Sequence, residues 1–403
     1  RIGRLPPLPS AERFRPPRAA APDPEAAAEA AALLQSAERP LILVGRTTRS
    51  ELDWQRRVQL AEALGAIVLT DAKSGAGFPS RHKLQGPPAG NQPSEAACAL
   101  IREADVILAL DWVDLAGAFK AACGAAPVAA KVISASLDHL AHNGWSMDYQ
   151  GLPPVDLPLA VEPDIAVAAL LPLLTTRAPG WGGKPPAAAL QPAPSGGADR
   201  IAPLDLAAAL REAVGHRPTT LIRGPLAWTN NTWDVAHPLD ALGGDGGGGV
   251  GAGPGMAVGA ALALRGSGRL PVAVLGDGDF LMGCTALWTA AHYRIPLLVV
   301  VSNNNSFFND ELHQDRMARQ RNRPVQNRWI GQRIADPEPD LGLLAKAQGG
   351  EGFGPIRRPD ELPRALRAAI DCVEAGGLAV VDVRVEPGYA PVNSAAVARG
   401  GAD

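Results

Sequence analysis

Short apolar runs alternate with helical stretches along most of the 403-residue chain. Such alternation is typical of parallel, doubly wound α/β sheets. The pattern predicts two Rossmann-like domains of this class, at residues 25–174 and 201–391. Residues 1–24 are rich in proline and arginine, and residues 175–200 in proline, glycine and alanine, so both are predicted to be linkers, with 392–403 as a frayed tail. No repeat with a period of about 20 to 50 residues is visible, which excludes a solenoid.

The periodicity also places the individual elements. In the first domain it predicts helices at 25–37, 52–64 and 94–103 and strands at 40–44, 66–70, 105–110 and 131–137. In the second domain it predicts helices at 204–214, 256–264, 280–293, 340–348 and 360–374, and strands at 219–222, 271–275, 297–301 and 378–385.

Two polar turns follow neighbouring strands of the second domain. Gly276-Asp277-Gly278 comes directly after the strand at 271–275, and three asparagines at 303–305 follow the strand at 297–301. Because parallel strands end at one edge of a sheet, Asp277 and Asn304 are expected to meet there. Their side-chain oxygens and the carbonyl of Ser306 suit Mg²⁺, with phosphate oxygens completing the coordination. The intervening helix points its amino terminus, which attracts phosphate, at the same edge.

The stretch GDGDFLMGCTALWTAAHYRIPLLVVVSNN, in which 24 residues separate GDG from NN, resembles the cofactor-binding motif of a known family. That family is the thiamine-diphosphate enzymes related to acetolactate synthase and benzoylformate decarboxylase. The resemblance implies that the chain takes part, with thiamine diphosphate and Mg²⁺, in decarboxylation of a 2-oxo acid, with or without carboligation. The alternative is an ordinary βαβ unit, in which Asp277 caps the helix and the asparagines form a turn.

A glycine-rich stretch at 243–255, called the glycine segment below, has nine glycines in thirteen residues. Glycines let a backbone approach a ligand closely. The resemblance implies that this segment contacts both cofactor rings, that Val250 wedges the cofactor into its bent shape, and that a carbonyl near Gly248 meets its 4′-amino group. A dinucleotide-binding loop is disfavoured because no acidic residue follows a second strand at the required distance; a flexible linker is the other alternative. The predicted cofactor-binding residues are Gly248, Val250, Gly251, Gly276, Asp277, Gly278, Asp279, Phe280, Asn304 and Ser306, and the predicted metal ligands are Asp277, Asn304 and Ser306.

The resemblance covers only the central and diphosphate-binding domains of that family. In the family, a glutamate from a preceding pyrimidine-binding domain activates the cofactor, and no glutamate here can be assigned that role. We therefore expect the chain alone to be inactive, with the missing domain upstream of Arg1 or on a separate chain. A non-catalytic subunit that binds the cofactor with such a chain, and a nucleotide-binding α/β regulator, are the alternatives. FAD is not expected, because Gly45-Arg46-Thr47 offers one glycine for a pyrophosphate.

Residues 305–334, called the polar segment below, are long, polar and rich in arginine. Such segments inside compact domains are usually functional or mobile. One interpretation is an active-site cover that is mobile without cofactor and brings His313 near the substrate. The other is a solvated surface helix with ordinary ion pairs, and the sequence leaves both open.

The composition of the chain limits the classes of partner that it is expected to bind. A net charge near −3 gives no field that would favour nucleic acid or an anionic membrane. No apolar run is long enough to span a bilayer, and scattered cysteines indicate a reduced, cytoplasmic setting. A small 2-oxo acid substrate and a homodimer or homotetramer are expected from the resemblance.

Overall fold

The computed structural model describes residues 9–16, 18–87, 93–138, 149, 151–175, 180–183, 199–225, 228, 232–244 and 249–388. Within these residues, no helix is long and apolar enough to cross a membrane. The predicted tail and most of the second predicted linker lie outside them.

The first domain is built on one parallel sheet of five strands. Its strands are β1 (Pro40–Val44), β2 (Ile67–Thr70), β3 (Val106–Leu110), β4 (Lys131–Ala135) and β5 (Leu157–Leu159), in the order β2-β1-β3-β4-β5. Its helices are α1 (Pro24–Ser36), α2 (Glu51–Leu64), α3 (Glu95–Glu103), α4 (Leu115–Cys123) and α5 (Pro163–Leu170). The strand order reverses between β1 and β3, as in doubly wound folds.

The second domain repeats this architecture. Its strands are β6 (Thr219–Arg223), β7 (Leu270–Gly276), β8 (Leu297–Asn303), β9 (Glu351–Ile356) and β10 (Leu378–Arg384), in the order β6-β7-β8-β10-β9. Its helices are α6 (Pro203–Val214), α7 (Gly253–Ala263), α8 (Asp277–Gly283), α9 (Ala286–His292), α10 (Phe308–Gln320), α11 (Leu341–Ala347) and α12 (Leu362–Glu374).

Each sheet separates two apolar cores because its central strands are buried on both faces. In β1 every residue is buried, and in β8 all seven are. Such strands present no polar face, so they read in the sequence as continuous apolar runs rather than alternating ones. The predicted fold class, two doubly wound parallel sheets, is confirmed by this arrangement.

Several elements differ from the prediction. The helix expected at 280–293 is two helices, α8 and α9, which Cys284 and Thr285 separate, and the first of them begins earlier, at Asp277. The glycine segment is not a loop throughout, because α7 begins at Gly253 within it. Helices α4 and α5 and strands β5 and β9 were not predicted. Both missed strands contain proline and lie at sheet edges, where a missing ladder donor is tolerated.

Candidate functional site

The two polar turns meet at the carboxyl edge of the second sheet. Strands β7 and β8 are parallel neighbours, and their register pairs Gly276 with Ser302. The backbone N–H of Ser306 donates to Asp277 Oδ2 at 2.9 Å and to Asn304 Oδ1 at 3.1 Å. The carboxylate and the amide oxygen therefore approach a single nitrogen atom, and the three predicted metal ligands lie within one small volume.

Asp277 is almost completely enclosed, with 2% of its surface exposed. Burial raises the pKa of its carboxyl group to about 6, and the negative charge of Asp382 acts in the same direction. Hydrogen bonds from the N–H groups of Gly278 and Ser306 act in the opposite direction without cancelling the effect of burial. The charged form of a carboxylate in this position is poorly solvated, and an adjacent cation would compensate for the lost solvation.

Asn303, the first of the three asparagines, fixes the conformation of the turn at 303–306, called the amide turn below. Its Oδ1 accepts from the N–H of Asn305 at 3.0 Å, and its Nδ2 donates to Asp382 Oδ1 at 2.8 Å. Asn305 adopts a positive φ of 57°, and its side-chain oxygen accepts from Arg384. These contacts leave Asn304 as the asparagine whose oxygen faces Asp277. The roles of Asn303, Asp382 and Arg384 were missed, because only the pairing of β8 with β10 brings them together.

Glu311 is a second buried carboxylate beside the amide turn. It is the buried residue of α10, and its Oε1 accepts from the hydroxyl of Ser306. The sequence had indicated only that Glu311 is one of three acidic residues in the polar segment. The contact is local, because α10 begins at Phe308, between Ser306 and Glu311.

Asp279 holds the glycine segment. Its Oδ1 accepts from the N–H groups of Gly251 at 2.7 Å and Gly253 at 3.1 Å, and Arg223 Nε lies 3.3 Å from its Oδ2. A Cβ atom added to Gly253 would lie 2.2 Å from the same carboxylate, so a side chain there would force that carboxylate to move. Asp279 was predicted to bind cofactor directly, whereas its carboxylate contacts the protein backbone.

The remaining predicted residues occupy different environments. Val250 is 48% exposed, and Gly251 adopts a φ of 96° beside it. A Cβ at Gly278 would lie 2.3 Å from the ring of Phe307, so a side chain there would force that ring to move.

Two predicted cofactor residues need separate comment. The side chain of Phe280 is fully buried in the apolar core, which leaves its backbone for the predicted cofactor contact, and that contact stays a prediction. Gly248 lies outside the described residues.

His313 lies on α10, within the polar segment. Its Nδ1 is 3.1 Å from Arg316 NH2. The segment is attached to the amide turn at both ends, because the N–H of Ile334 donates to the carbonyl of Asn305 at 2.8 Å and the N–H of Phe307 to that of Gln332 at 2.9 Å. The movement of the polar segment on cofactor binding stays a prediction.

The atoms at the carboxyl edge of the second sheet that could hold a metal are hard oxygen ligands. Among the described residues, no group of three or more histidine, cysteine, aspartate or glutamate side chains is placed to hold a metal. One carboxylate, one amide and one backbone carbonyl leave coordination positions that phosphate oxygens fit. The residues therefore suit a cation that arrives with a diphosphate rather than a site built entirely from side chains.

At the carboxyl edge of the first sheet, side chains and backbone atoms of the protein contact each other. Arg46 forms ion pairs with Asp111 and Asp138 at the point where the strand order reverses. A Cβ at Gly45 would lie 2.1 Å from the carbonyl oxygen of Asp111. The expectation that no flavin binds there stays a prediction.

These features define an α/β protein with hard oxygen ligands gathered at the carboxyl edge of its second sheet, and family models match both of its domains. The model "Thiamine pyrophosphate enzyme, C-terminal TPP binding domain" matches residues 225–383, and "Thiamine pyrophosphate enzyme, central domain" matches residues 27–142. The chain belongs to the thiamine pyrophosphate enzyme family, among the thiamine-diphosphate-dependent enzymes of acetolactate synthase and decarboxylase type. The predicted resemblance is confirmed.

Curated relatives share shorter stretches. The chain is 42% identical over 87 residues to sulfoacetaldehyde acetyltransferase of Alcaligenes xylosoxydans xylosoxydans, which is 21% of this chain and 14% of that protein. It is 27% identical over 194 residues to acetolactate synthase of Bacillus subtilis (strain 168), 47% of this chain and 30% of that protein. The chain thus matches less than a third of either relative's length.

Solved structures show the same fold over nearly the whole chain. Benzoylformate decarboxylase from Polynucleobacter necessarius aligns with a TM-score of 0.72 at 20% identity, covering 96% of this chain and 69% of that one. The 4-hydroxybenzoylformate decarboxylase of Rhodococcus jostii RHA1 aligns with a TM-score of 0.70 at 21% identity, covering 95% and 68%.

Proposed function

We propose that this chain binds thiamine diphosphate through Mg²⁺ and takes part in decarboxylation of a 2-oxo acid, with or without transfer to a second carbonyl compound. The observation that carries the proposal is the convergence of Asp277 and Asn304 on the N–H of Ser306. This arrangement lies at the carboxyl edge of a parallel sheet, where ligands of such folds bind.

The metal would be held by the Asp277 carboxylate, the Asn304 side-chain oxygen and the Ser306 carbonyl, with diphosphate oxygens as further ligands. The raised pKa of Asp277 supports this assignment, because a bound cation would favour the charged carboxylate that burial disfavours. The Glu311 contact to the Ser306 hydroxyl and the Asn303 contact to the Asn305 N–H would keep the amide turn in shape.

The rings of the cofactor would lie against the glycine segment. Asp279 holds Gly251 and Gly253 by their N–H groups, so the backbone before α7 has a defined position. Val250 is exposed at the start of this backbone, which supports its proposed role as the wedge under the bent cofactor.

Thiamine diphosphate, when bound, supplies a nucleophilic carbon for attack on a carbonyl group and an electron sink for loss of carbon dioxide. The part of this chain is to bind and orient it. His313 and Arg316, which contact each other on α10, would face the substrate carboxylate if the polar segment covers the site. The relatives' names include an acetyltransferase, a synthase and decarboxylases, so they support the class of chemistry rather than one 2-oxo acid.

The strongest rival is a subunit that binds thiamine diphosphate but needs a separate pyrimidine-binding chain for catalysis. Carbon dioxide release from pyruvate and from benzoylformate tests the catalytic role that both hypotheses share, measured with the 403-residue chain alone and after addition of a pyrimidine-binding domain. We expect no turnover by the chain alone and turnover after the addition. Steady turnover by the chain alone would show that it needs no further domain, and none in either case would contradict the proposed catalytic function.

We also propose a homodimer or homotetramer in the cytoplasm. Four large apolar side chains, Leu262, Met282, Trp288 and Tyr293, are about half exposed or more on or beside α7, α8 and α9. Because α7 packs against both α8 and α9, these exposed apolar groups lie on neighbouring elements, which is typical of protein interfaces. No disulfide joins any two of the four cysteines, all of which lie in the described residues, and this fits a reduced compartment. Light scattering tests the assembly: Trp288→Arg should lower the molar mass, and a monomeric wild-type chain would contradict it.

A further inference from the structure

Two loops from different domains lie backbone against backbone. One, at 73–77, follows β2 in the first domain. The other, at 238–244, follows β6 in the second domain and includes the first two residues of the glycine segment. The N–H of Ala76 donates to the carbonyl of Ala241 at 2.9 Å, and the N–H of Gly244 donates to the carbonyl of Lys73 at 2.9 Å. Together with Arg49, described below, these loops are called the interdomain clasp.

The clasp depends on two facing glycines. Gly75 has a φ of 77° and Gly243 a φ of 88°, which side chains rarely adopt. A Cβ at Gly75 would lie 2.6 Å from the nitrogen of Gly243, and a Cβ at Gly243 would lie 2.4 Å from the nitrogen of Gly75. Either alanine would therefore force the two loops apart, because backbone atoms cannot rotate away as a side chain can.

Arg49, just before α2, closes the clasp from the first domain. Its guanidinium donates to five backbone carbonyl oxygens, those of Ser74 (2.9 Å), Ala76 (3.2 Å), Pro238 (3.4 Å), Ala241 (3.3 Å) and Leu242 (2.9 Å). Burial lowers the pKa of Arg49, and the nearby Arg57 acts in the same direction. A partly buried cation that neutralises no carboxylate in these contacts, and instead joins carbonyls of two domains, serves to fix the loops relative to each other.

The second loop is tied to the cofactor site as well. The N–H of Leu221 in β6 donates to the carbonyl of Asp240 at 2.9 Å, and the N–H of Leu242 returns to the carbonyl of Leu221 at 3.0 Å. Beyond Gly244 the chain leads to Gly251, whose N–H is held by Asp279. The glycine segment is thus anchored at one end by the clasp and at the other by a residue two positions from the proposed metal ligand Asp277.

We propose that the first domain positions the glycine segment through this clasp. Arg49, Gly75 and Gly243 are then positioning residues for cofactor binding, although none of them lies at the carboxyl edge of β7 and β8. The inference rests on the proposed function in one respect, namely that the glycine segment binds thiamine diphosphate. The mechanical part, control of the segment by the first domain, is independent of the ligand.

Hydrogen exchange on the ligand-free 403-residue chain tests the mechanical part. Gly75→Ala should speed exchange of the N–H groups at 241–244 and at 249–253 by about tenfold or more. Gly124→Ala is the matched control, because Gly124 has a φ of 62° in the same domain with no atom within 4 Å of an added Cβ. Gly243→Ala, with Gly266→Ala as its control (φ 81°, open space), should repeat the result from the other loop.

Arg49→Lys provides a milder variant if an alanine variant does not fold. A lysine carries one nitrogen in place of the two that reach the five carbonyls, so we expect faster exchange of the same two stretches without loss of the folded state. Equal exchange in Gly75→Ala and Gly124→Ala, or faster exchange at 241–244 only, would overturn the clasp as a positioning device.

Calorimetry with thiamine diphosphate and Mg²⁺ then tests the functional part. Gly75→Ala should weaken binding by about tenfold, which corresponds to about 1.4 kcal/mol, while Gly124→Ala binds like wild type. Unchanged binding in Gly75→Ala with faster exchange would overturn the role in cofactor binding. No binding by the wild-type chain, with the exchange result intact, would count against the proposed function and not against the mechanical role of the clasp.

Discussion

Replacement of Asp279 by alanine removes the group that holds the glycine segment onto α8. The carboxylate accepts two backbone hydrogen bonds, from Gly251 and Gly253, and lies 3.3 Å from Arg223 Nε. Its side chain is only 11% exposed, so water does not fully replace these contacts. Loss of the carboxylate should therefore weaken both the fold and the segment that is proposed to meet the cofactor.

The contacts give the expected magnitude. Hydrogen bonds to a charged group contribute about 1.5–3 kcal/mol each, so two of them set a range of about 3–6 kcal/mol. Gly251 is partly accessible to water, which places Asp279→Ala near the lower end, at about 3 kcal/mol. Asp279→Asn keeps one acceptor oxygen and loses the charge, so we expect about 1 kcal/mol.

Urea unfolding followed by circular dichroism measures the free energy of unfolding of each variant. Glu212→Ala, which removes an exposed carboxylate from α6, is the matched control and should change the free energy by less than about 0.5 kcal/mol. The reasoning is refuted if Asp279→Ala is no less stable than this control, or if Asp279→Asn costs as much as Asp279→Ala.

Three further predictions concern other parts of the chain. Asn303→Ala should lower the free energy of unfolding by about 2–3 kcal/mol, since it leaves the buried Asp382 without its amide donor; a loss below about 0.5 kcal/mol would contradict this. Burial raises the pKa of Asp71 above 3.8, so the folded state holds that proton more tightly and loses stability as pH rises through the raised value. The stability of Asp71→Asn relative to wild type should therefore increase with pH over that window in urea unfolding, and a pH-independent difference would reject the assignment. Hydrogen exchange at 306–333 should slow when thiamine diphosphate and Mg²⁺ bind; equal protection with and without them would reject an active-site cover.

The sequence was sufficient to predict that Asp277 and Asn304 lie close together, because local signals agreed there. Two apolar runs, each followed by a polar turn, define adjacent parallel strands, and that topology alone brings Asp277 and Asn304 together. The break at Cys284 and Thr285 was not predictable, since the helical period continues through both residues. Strand β9, with the sequence EGFGPI, carries glycine and proline that favour turns, and it forms because β10 provides a neighbour.

The contacts that shape the site come from residues far apart in the chain. Asn303 and Asp382 are 79 positions apart, and Arg49 reaches Leu242 across 193 positions. No periodicity relates such pairs, because their contact is a property of sheet order and domain packing. The hydrogen bonds that Asp279 accepts from Gly251 and Gly253, 28 and 26 positions away, were missed for the same reason, and its predicted contact with the cofactor stays a prediction.

The central claim is that Asp277 binds thiamine diphosphate through a metal ion, and titration calorimetry tests it most directly. Thiamine diphosphate is titrated into the chain with Mg²⁺ and with a chelator, for wild type, Asp277→Ala and the control Asp371→Ala, an exposed carboxylate on α12. We predict binding that requires Mg²⁺, is retained in Asp371→Ala, and falls at least about a hundredfold in Asp277→Ala, as expected when the only charged protein ligand is lost. Binding by Asp277→Ala equal to that of wild type would contradict the assignment.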